Sequence, residues 1–420
     1  MLVKLKNLIK LRIAAPLLIF LAVAGPGIIT GSVDNDAGGI TTYSVAGAEY
    51  GYSLLWTLLP CFILLVVIQE MNARMGIKTG KGLADLIREN FGIKIMAFIF
   101  ICLLICNIGN TTAEFAGIAG SMQVFNLSKY LTVPLSGMVV WLLVVKENYG
   151  ITEKIFLLMS GFLLMYVVSA LLAHPDWTEI ATSITHPRLW GGRDYMALTL
   201  GLIGTTIAPW MQFYMQSAVI EKGLSLKDYK YEKWDVILGA FATVIVAFFI
   251  IVACAATLNK AGIHINEAKD AAVALKPLAG PWAATFFAAG LFIASIFSAT
   301  ILPLATSFYF CETFGLEAGI NKKWHEAPAF YWIFTAIILI SMAIILIPGV
   351  PLIRITIWTQ VLNGILLPVV LICMMRMINN AEIMGEYTNK PLSNIIGWAT
   401  VIALIGLTAY LFFISLMRLL

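Results

Sequence analysis

Runs of apolar residues about as long as a bilayer is thick recur from one end of this chain to the other, and they constrain the fold before any motif is read. A helix needs about 20 apolar residues to cross the hydrocarbon core. Eleven such runs can be marked, at approximately 13–47, 52–71, 94–125, 130–146, 151–173, 195–220, 235–258, 281–313, 329–348, 353–376 and 395–417. With 60% of its 420 residues hydrophobic and 12% charged, the chain exceeds what a soluble domain can hide, since about half apolar is usual for globular chains. The ten-residue alternating segments of a membrane barrel are absent. The expected class is an all-α polytopic membrane protein.

Charge sets the orientation. Cytoplasmic loops collect Lys and Arg, and with the N-terminus inside, 19 of the 27 basic residues fall on the cytoplasmic side. The net charge of +4 therefore speaks to topology, not to a nucleic-acid partner. The basic start "MLVKLKNLIKLR" lacks a small-residue cleavage site and reads as a retained anchor. The six cysteines form no CxxC pair, and the four histidines lie between the runs, so neither a disulfide framework nor a thiolate metal site is expected. No Walker loop is present, which excludes an ATP motor of that type. "GKGLADLIREN" and "NEAKDAAVALK" read as short surface helices.

Two runs are interrupted. The first carries "GSVDNDAGGITT" (31–42) and the sixth carries "GTTIAPW" (204–210). Paired Gly- or Pro-interrupted spans at matching places in two halves point to a transporter's central site. The chain is thus expected to be one transmembrane domain over 1–420. It would hold inverted repeats at 13–173 and 195–376, with an additional eleventh helix at 395–417. The plain alternative for the sixth run is a proline kink.

Asp34 and Asp36 are costly inside a bilayer unless paired or neutralised. Unwinding at Ala37-Gly38-Gly39 would free carbonyls beside them, giving an oxygen-rich site of the kind hard cations prefer. Asp36 adjoins the break, whereas Asp34 reads as a residue of the mouth. Glu114 in the third run is either a coordinating or proton-carrying group, or a support for helix 1. Pro209 frees carbonyls one turn earlier, so Thr205, Thr206, Ala208 and Trp210 share the second break. Gln360 is either an interhelical hydrogen bond or a ligand. Asn107, Asn110 and Asn363 read as helix-packing groups, and Glu49 and Glu70 as solvated residues near span ends. "GPG" at 25–27 is a helix-packing and bending signal.

The string "GPG…DAGG…AGAEYGYSLLW", with "APW" in the sixth run and eleven runs in all, resembles the Nramp divalent-metal transporters over nearly the whole chain. The resemblance implies a LeuT-like fold of ten core helices, broken at helices 1 and 6, with a DPGN and a Met-Pro-His motif at the metal site. Here Asp36-Ala37-Gly38-Gly39 stands for DPGN, and Ala208-Pro209-Trp210 for Met-Pro-His, with a one-residue ambiguity in the second alignment. Thr111 replaces an acid three residues before Glu114, and Gln360 falls at the family's helix 10 glutamine. By this resemblance the metal-site residues are Asp36, Ala37, Gly39, Thr206, Ala208 and Gln360. Asp34, Glu114, Pro209, Trp210 and Thr111 are in support.

The departures carry chemistry. A thioether favours transition metals over Mg2+, and its loss together with the Asn side chain enlarges the cavity for a partly hydrated ion. The pattern is similar to the Nramp-related magnesium transporter branch. The expectation is a plasma-membrane transporter of Mg2+ and Mn2+, with no cofactor, no ATP and a monomeric state. Trp210 and Thr111 do not titrate near neutral pH, so weak or absent proton coupling is expected. The alternatives are a proton-coupled Mn2+/Fe2+ importer and a LeuT-like symporter of an organic solute.

Overall fold

The computed structural model describes residues 20, 22–146, 149–188, 192–265, 268–349 and 352–417. Their regular structure is helical throughout. Helix 1 is split into α1 (Pro26–Val33) and α2 (Ala37–Tyr50). A 3-10 segment, Gly51–Thr57, leads into α3 (Leu58–Thr79), which ends at Gly80 in the left-handed region (φ 65°) that glycine adopts without strain. The surface helix α4 (Leu83–Phe91) follows, as its amphipathic pattern predicts. Next come α5 (Ile93–Gln123), α6 (Lys129–Val145), and a fifth span in two pieces, α7 (Tyr149–Phe162) and α8 (Met165–Leu172). The short α9 (Trp177–Thr185) precedes the sixth span, again in two pieces, α10 (Arg193–Thr206) and α11 (Pro209–Glu221).

The rest of the chain is α12 (Tyr229–Cys254) with a π-helical end at Ala255–Asn259, α13 (Ala268–Phe314), α14 (Pro328–Leu346), α15 (Leu352–Ile378), α16 (Ala381–Met384) and α17 (Pro391–Met417). The second surface helix does not stand apart. It runs into the eighth span as α13, with a kink at Gly280 (φ 88°). Among the described residues seven helices are long and apolar enough to cross a membrane, or eight counting one bent pair, and Lys129–Val145 and Pro391–Gly406 are shorter apolar helices. The described residues of all eleven runs fall on helices or at the breaks between them. Fewer pass as separate spans because Ala37–Thr79 runs through the first two, and because Lys129–Val145 and Pro391–Gly406 are short.

Close packing places the broken helix. α12 lies along α1, α2 and α3, while α13 packs on α5 and reaches α2 from the other side. The α1–α12 contact is backbone to backbone: a Cβ on Gly239 would lie 2.1 Å from the Gly27 carbonyl oxygen, and one on Gly31 would lie 2.5 Å from the Gly239 oxygen. Small residues let helices approach this closely in a membrane, where dispersion and hydrogen bonds replace the hydrophobic drive.

Two large apolar clusters fill the interior. One holds Ile29 and Val33 of α1 with Ile207 and Ala208; the other holds Ala37 and Ile40 of α2 with Leu202 of α10. Their boundary passes through both helix breaks. The first cluster lies toward the lysine-rich loops, the face that the positive-inside rule assigns to the cytoplasm, here called the inner side.

Candidate functional site

The helix 1 break is shorter and earlier than the glycines suggest. α1 ends at Val33 and α2 starts at Ala37, so Asp34, Asn35 and Asp36 lie outside both helices, and Gly38 and Gly39 are already helical. The expected unwinding at Ala37-Gly38-Gly39 is therefore corrected. The reason is a cap: Asp36 is in extended conformation, and its Oδ1 accepts a hydrogen bond from the Gly39 N–H at 2.6 Å. An aspartate at this position satisfies one of the orphan donors of the first turn. The Ala37 carbonyl, expected to be free, accepts from the Thr41 hydroxyl at 2.7 Å. Gly39 is needed for close approach, since a Cβ there would lie 2.9 Å from the Asp34 carbonyl oxygen.

A second carboxylate reaches the same helix end. Glu114 of α5 is fully buried, and its two oxygens lie 3.2 and 3.1 Å from the Ala37 N–H that they accept from. Two acids thus meet the positive end of α2, where backbone donors and the helix dipole favour negative charge. Of its open roles, this geometry realises support of helix 1. Ser295 of α13 faces the same carboxylate, and the Ser298 hydroxyl donates to the Val33 carbonyl at 3.2 Å. Asp34 is not a mouth residue: it is 2% exposed, and its Oδ2 has no hydrogen-bond partner. Asn35 beside it is fully buried with both side-chain polar atoms unpartnered.

The second break is a single turn. α10 ends at Thr206, and Ala208, in extended conformation, is the N-cap of α11 with Pro209 at its first position. Proline is tolerated there because the N–H it lacks would have no partner within the helix. The Thr206 hydroxyl donates to the Leu202 carbonyl at 2.8 Å and lies 3.2 Å from the Tyr43 hydroxyl, which joins the two broken helices. Trp210 is 1% exposed and packs toward Tyr214. The Ala208 carbonyl accepts from the Gln212 amide at 3.1 Å, and Asn72 of α3 donates to Gln212 at 2.5 Å.

The structure thus brings Asp36, Ala37, Gly39 and Glu114 together at one break, and Thr206, Ala208, Pro209 and Trp210 at the other, with Tyr43 between them. Thr111 is buried on α5 with an unpartnered hydroxyl. Gln360 lies on α15, and its side chain is outside the described residues. Asn107 is a packing group, donating to Thr306 and Tyr309 of α13 at 2.9 and 3.0 Å. Glu49 stays partly exposed, 2.7 Å from the imidazole of the exposed His264, whereas Glu70, expected to be solvated, is sheltered and pairs with Arg74 at 3.2 Å. Sequence reading missed Tyr43, Ser295, Ser298 and Asp235. Serines and tyrosines inside apolar runs carry no periodic signal, and Asp235 stands among lysines that suggest a solvated end.

Two helices broken at matched places, with carboxylates lodged at one break, are the architecture of a membrane transporter. The particular family follows from comparison. A profile described as natural resistance-associated macrophage protein-like, Nramp, matches residues 27–414, and the chain belongs to that family. The divalent metal cation transporter MntH of Yersinia pestis is 28% identical over 400 residues, which cover 93% of this chain and 94% of the relative. MntH of Deinococcus radiodurans is 28% identical over 404 residues, covering 92% and 88%. Among solved structures, a manganese transporter of Eremococcus coleocola matches with a TM-score of 0.75 at 21% identity, over 93% of this chain and 85% of that one. Mhp1, a nucleobase-cation-symport-1 family transporter, matches with a TM-score of 0.60 at 12% identity over 92% of each. The LeuT-like fold expected from the sequence is the fold found.

Proposed function

We propose that this divalent metal cation transporter carries Mg2+ and Mn2+ through the plasma membrane by alternating access, taking the ion partly hydrated and with weak or no proton coupling. Asp36 supplies the charge; backbone carbonyls at the two breaks, Thr206 and Gln360 add oxygens. The donor set resembles that of the magnesium-carrying branch of the family, and the reading takes the chain as two inverted repeats, 13–173 and 195–376, followed by an extra helix at 395–417.

The observation that carries the reading is the donor set. By the resemblance, with its one-residue ambiguity in the sixth span, Asp36, Gly39 and Ala208 stand for the family's Asp, Asn and Met, so the charge is kept while an amide and a thioether are absent. A soft thioether and an amide would favour a transition metal more fully stripped of water. Mg2+, which gives up its waters reluctantly, needs few protein ligands.

The test is metal uptake into proteoliposomes by Asp36→Asn. Asparagine keeps the cap at the start of α2 and removes the charge, whereas alanine would remove both. Uptake of Mg2+ and Mn2+ should fall by about tenfold or more, the size expected for loss of roughly 1.4 kcal/mol or more of ion binding. Undiminished uptake would exclude Asp36 as the charge at the site.

A further inference from the structure

α1 is fastened to α12 at both ends. Gly25 has no side chain to cap the helix, and the cap comes from another element: the Gly27 N–H donates to Asp235 Oδ2 of α12 at 2.6 Å. At the other end Thr243 of α12 donates a short hydrogen bond to the Gly31 carbonyl. Between these points the glycine contact of Gly27 and Gly31 with Gly239 leaves no room for one helix to slide on the other. The inner half of helix 1 and α12 are therefore one body.

What joins that body to its neighbours is an ion pair. Lys222, at the inner end of α11, reaches the Ala24 carbonyl at 2.8 Å and Glu153 Oε1 of α7 at 2.7 Å. The side chains are 9% and 13% exposed, so the pair is sheltered from water. Gly25 makes room for it, since a Cβ there would lie 2.1 Å from the Glu153 carboxylate and 3.0 Å from the ammonium. The ammonium also faces Glu232 and Asp235, both fully buried, and neither Glu232 oxygen has a hydrogen-bond partner. One cation thus holds α1, α7 and α11 together where the apolar cluster of the inner side ends. Breaking a sheltered pair by removing one member leaves an uncompensated charge, so it behaves as a contact that is either made or lost.

We propose that Lys222 and Glu153 are the latch of the inner gate: the pair must part for an ion at the helix breaks to leave toward the cytoplasm. They are positioning residues and do not touch the ion. The inference rests on the transport reading above, and its test has a separate readout.

That readout is a cysteine placed at Ser32 of α1, which is 3% exposed and inside the closed end. In inside-out membrane vesicles holding the full chain, a charged, membrane-impermeant thiol reagent should modify this cysteine slowly. Lys222→Met and Glu153→Gln should each raise the rate by about tenfold, within the 5–150-fold span typical of coupling between sites. Lys222→Arg, which keeps the charge, should stay slow. An unchanged rate in Lys222→Met and Glu153→Gln would overturn the latch, as would an equally fast Lys222→Arg. If Lys222→Met fails to fold, the near-isosteric Glu153→Gln carries the test alone. Wild-type vesicles that take up no metal but keep this order of rates would sink the transport reading and leave the gate.

Discussion

At the scale of single residues, Asp36 has two duties that the sequence shows unequally. An acid beside a glycine pair in an apolar run marks it as a charge site, and that much needs no structure. Its role as the cap of α2 depends on where the helix restarts, which is decided by the Glu114 carboxylate arriving from α5 and by the close approach of the Gly39 backbone to the Asp34 carbonyl. Neither contact leaves a local pattern, so the break was expected three residues too late. The same geometry decides which substitution can test selectivity. Restoring an asparagine at Gly39 would place its Cβ 2.9 Å from a backbone oxygen and move the break itself. Ala208 is 8% exposed and is the N-cap of α11, in extended conformation at the second break itself. Ala208→Met should therefore shift preference toward Mn2+, because a thioether favours transition metals and offers little to Mg2+. The measurement is competition: the Mg2+ concentration that halves Mn2+ uptake should rise by about tenfold, equivalent to roughly 1.4 kcal/mol. If Mg2+ competes as well as before, the missing thioether does not explain the selectivity.

At the scale of elements, hydropathy was enough to find the long apolar helices, because a membrane helix must satisfy its own backbone and be apolar over its length. It gave no sign of the short α9 and α16, which lie outside the apolar runs. It was not enough to say which helices touch. "GPGIITG" reads as a bending and packing signal, but its partner Gly239 lies 208 residues beyond Gly31 on α12. Nor does Asp235 announce itself, since "YKYEKWDVILG" resembles a solvated helix start, and only the fold turns that acid into a cap for α1. This packing makes a stability prediction. Gly239→Ala would force its Cβ to within 2.1 Å of the Gly27 oxygen unless the helices separate. Overpacking of this kind costs about 1–3 kcal/mol. A lower midpoint of thermal unfolding in detergent is expected, with Gly161→Ala as the control, since nothing lies within 4 Å of the Cβ built there. Equal midpoints for the two variants would mean that α1 and α12 are not held in contact as described.

At the scale of the whole molecule, the question is whether a proton can accompany the metal. A relay needs titratable groups from the central site to one face. Among the described residues the buried acids fall into two separate sets: Asp34, Asp36 and Glu114 at the break, and Glu232 and Asp235 toward the inner side. Between them runs α1, "PGIITGSV", with no titratable side chain in eight residues, about 12 Å of helix. Alongside it α11 opens with Pro209 and Trp210, neither of which titrates, and its first titratable group is a buried tyrosine, Tyr214. The four histidines, at 174, 186, 264 and 325, lie outside the spans, so no imidazole bridges the gap. The polar side chains that line α11 between the break and the inner side, Gln212 bonded to Asn72 and Gln216 bonded to the Lys81 carbonyl, are amides, which do not titrate. This is the ground for the uncoupled carrier proposed above. In liposomes loaded with a pH-sensitive dye, inward movement of Mn2+ should proceed without acidification of the interior, and the accumulated metal should follow its own gradient and the membrane potential, unchanged by an imposed pH difference. Acidification that scales with the Mn2+ taken up would instead favour the proton-coupled importer, and would require water to carry the proton along α1 from one set of acids to the other.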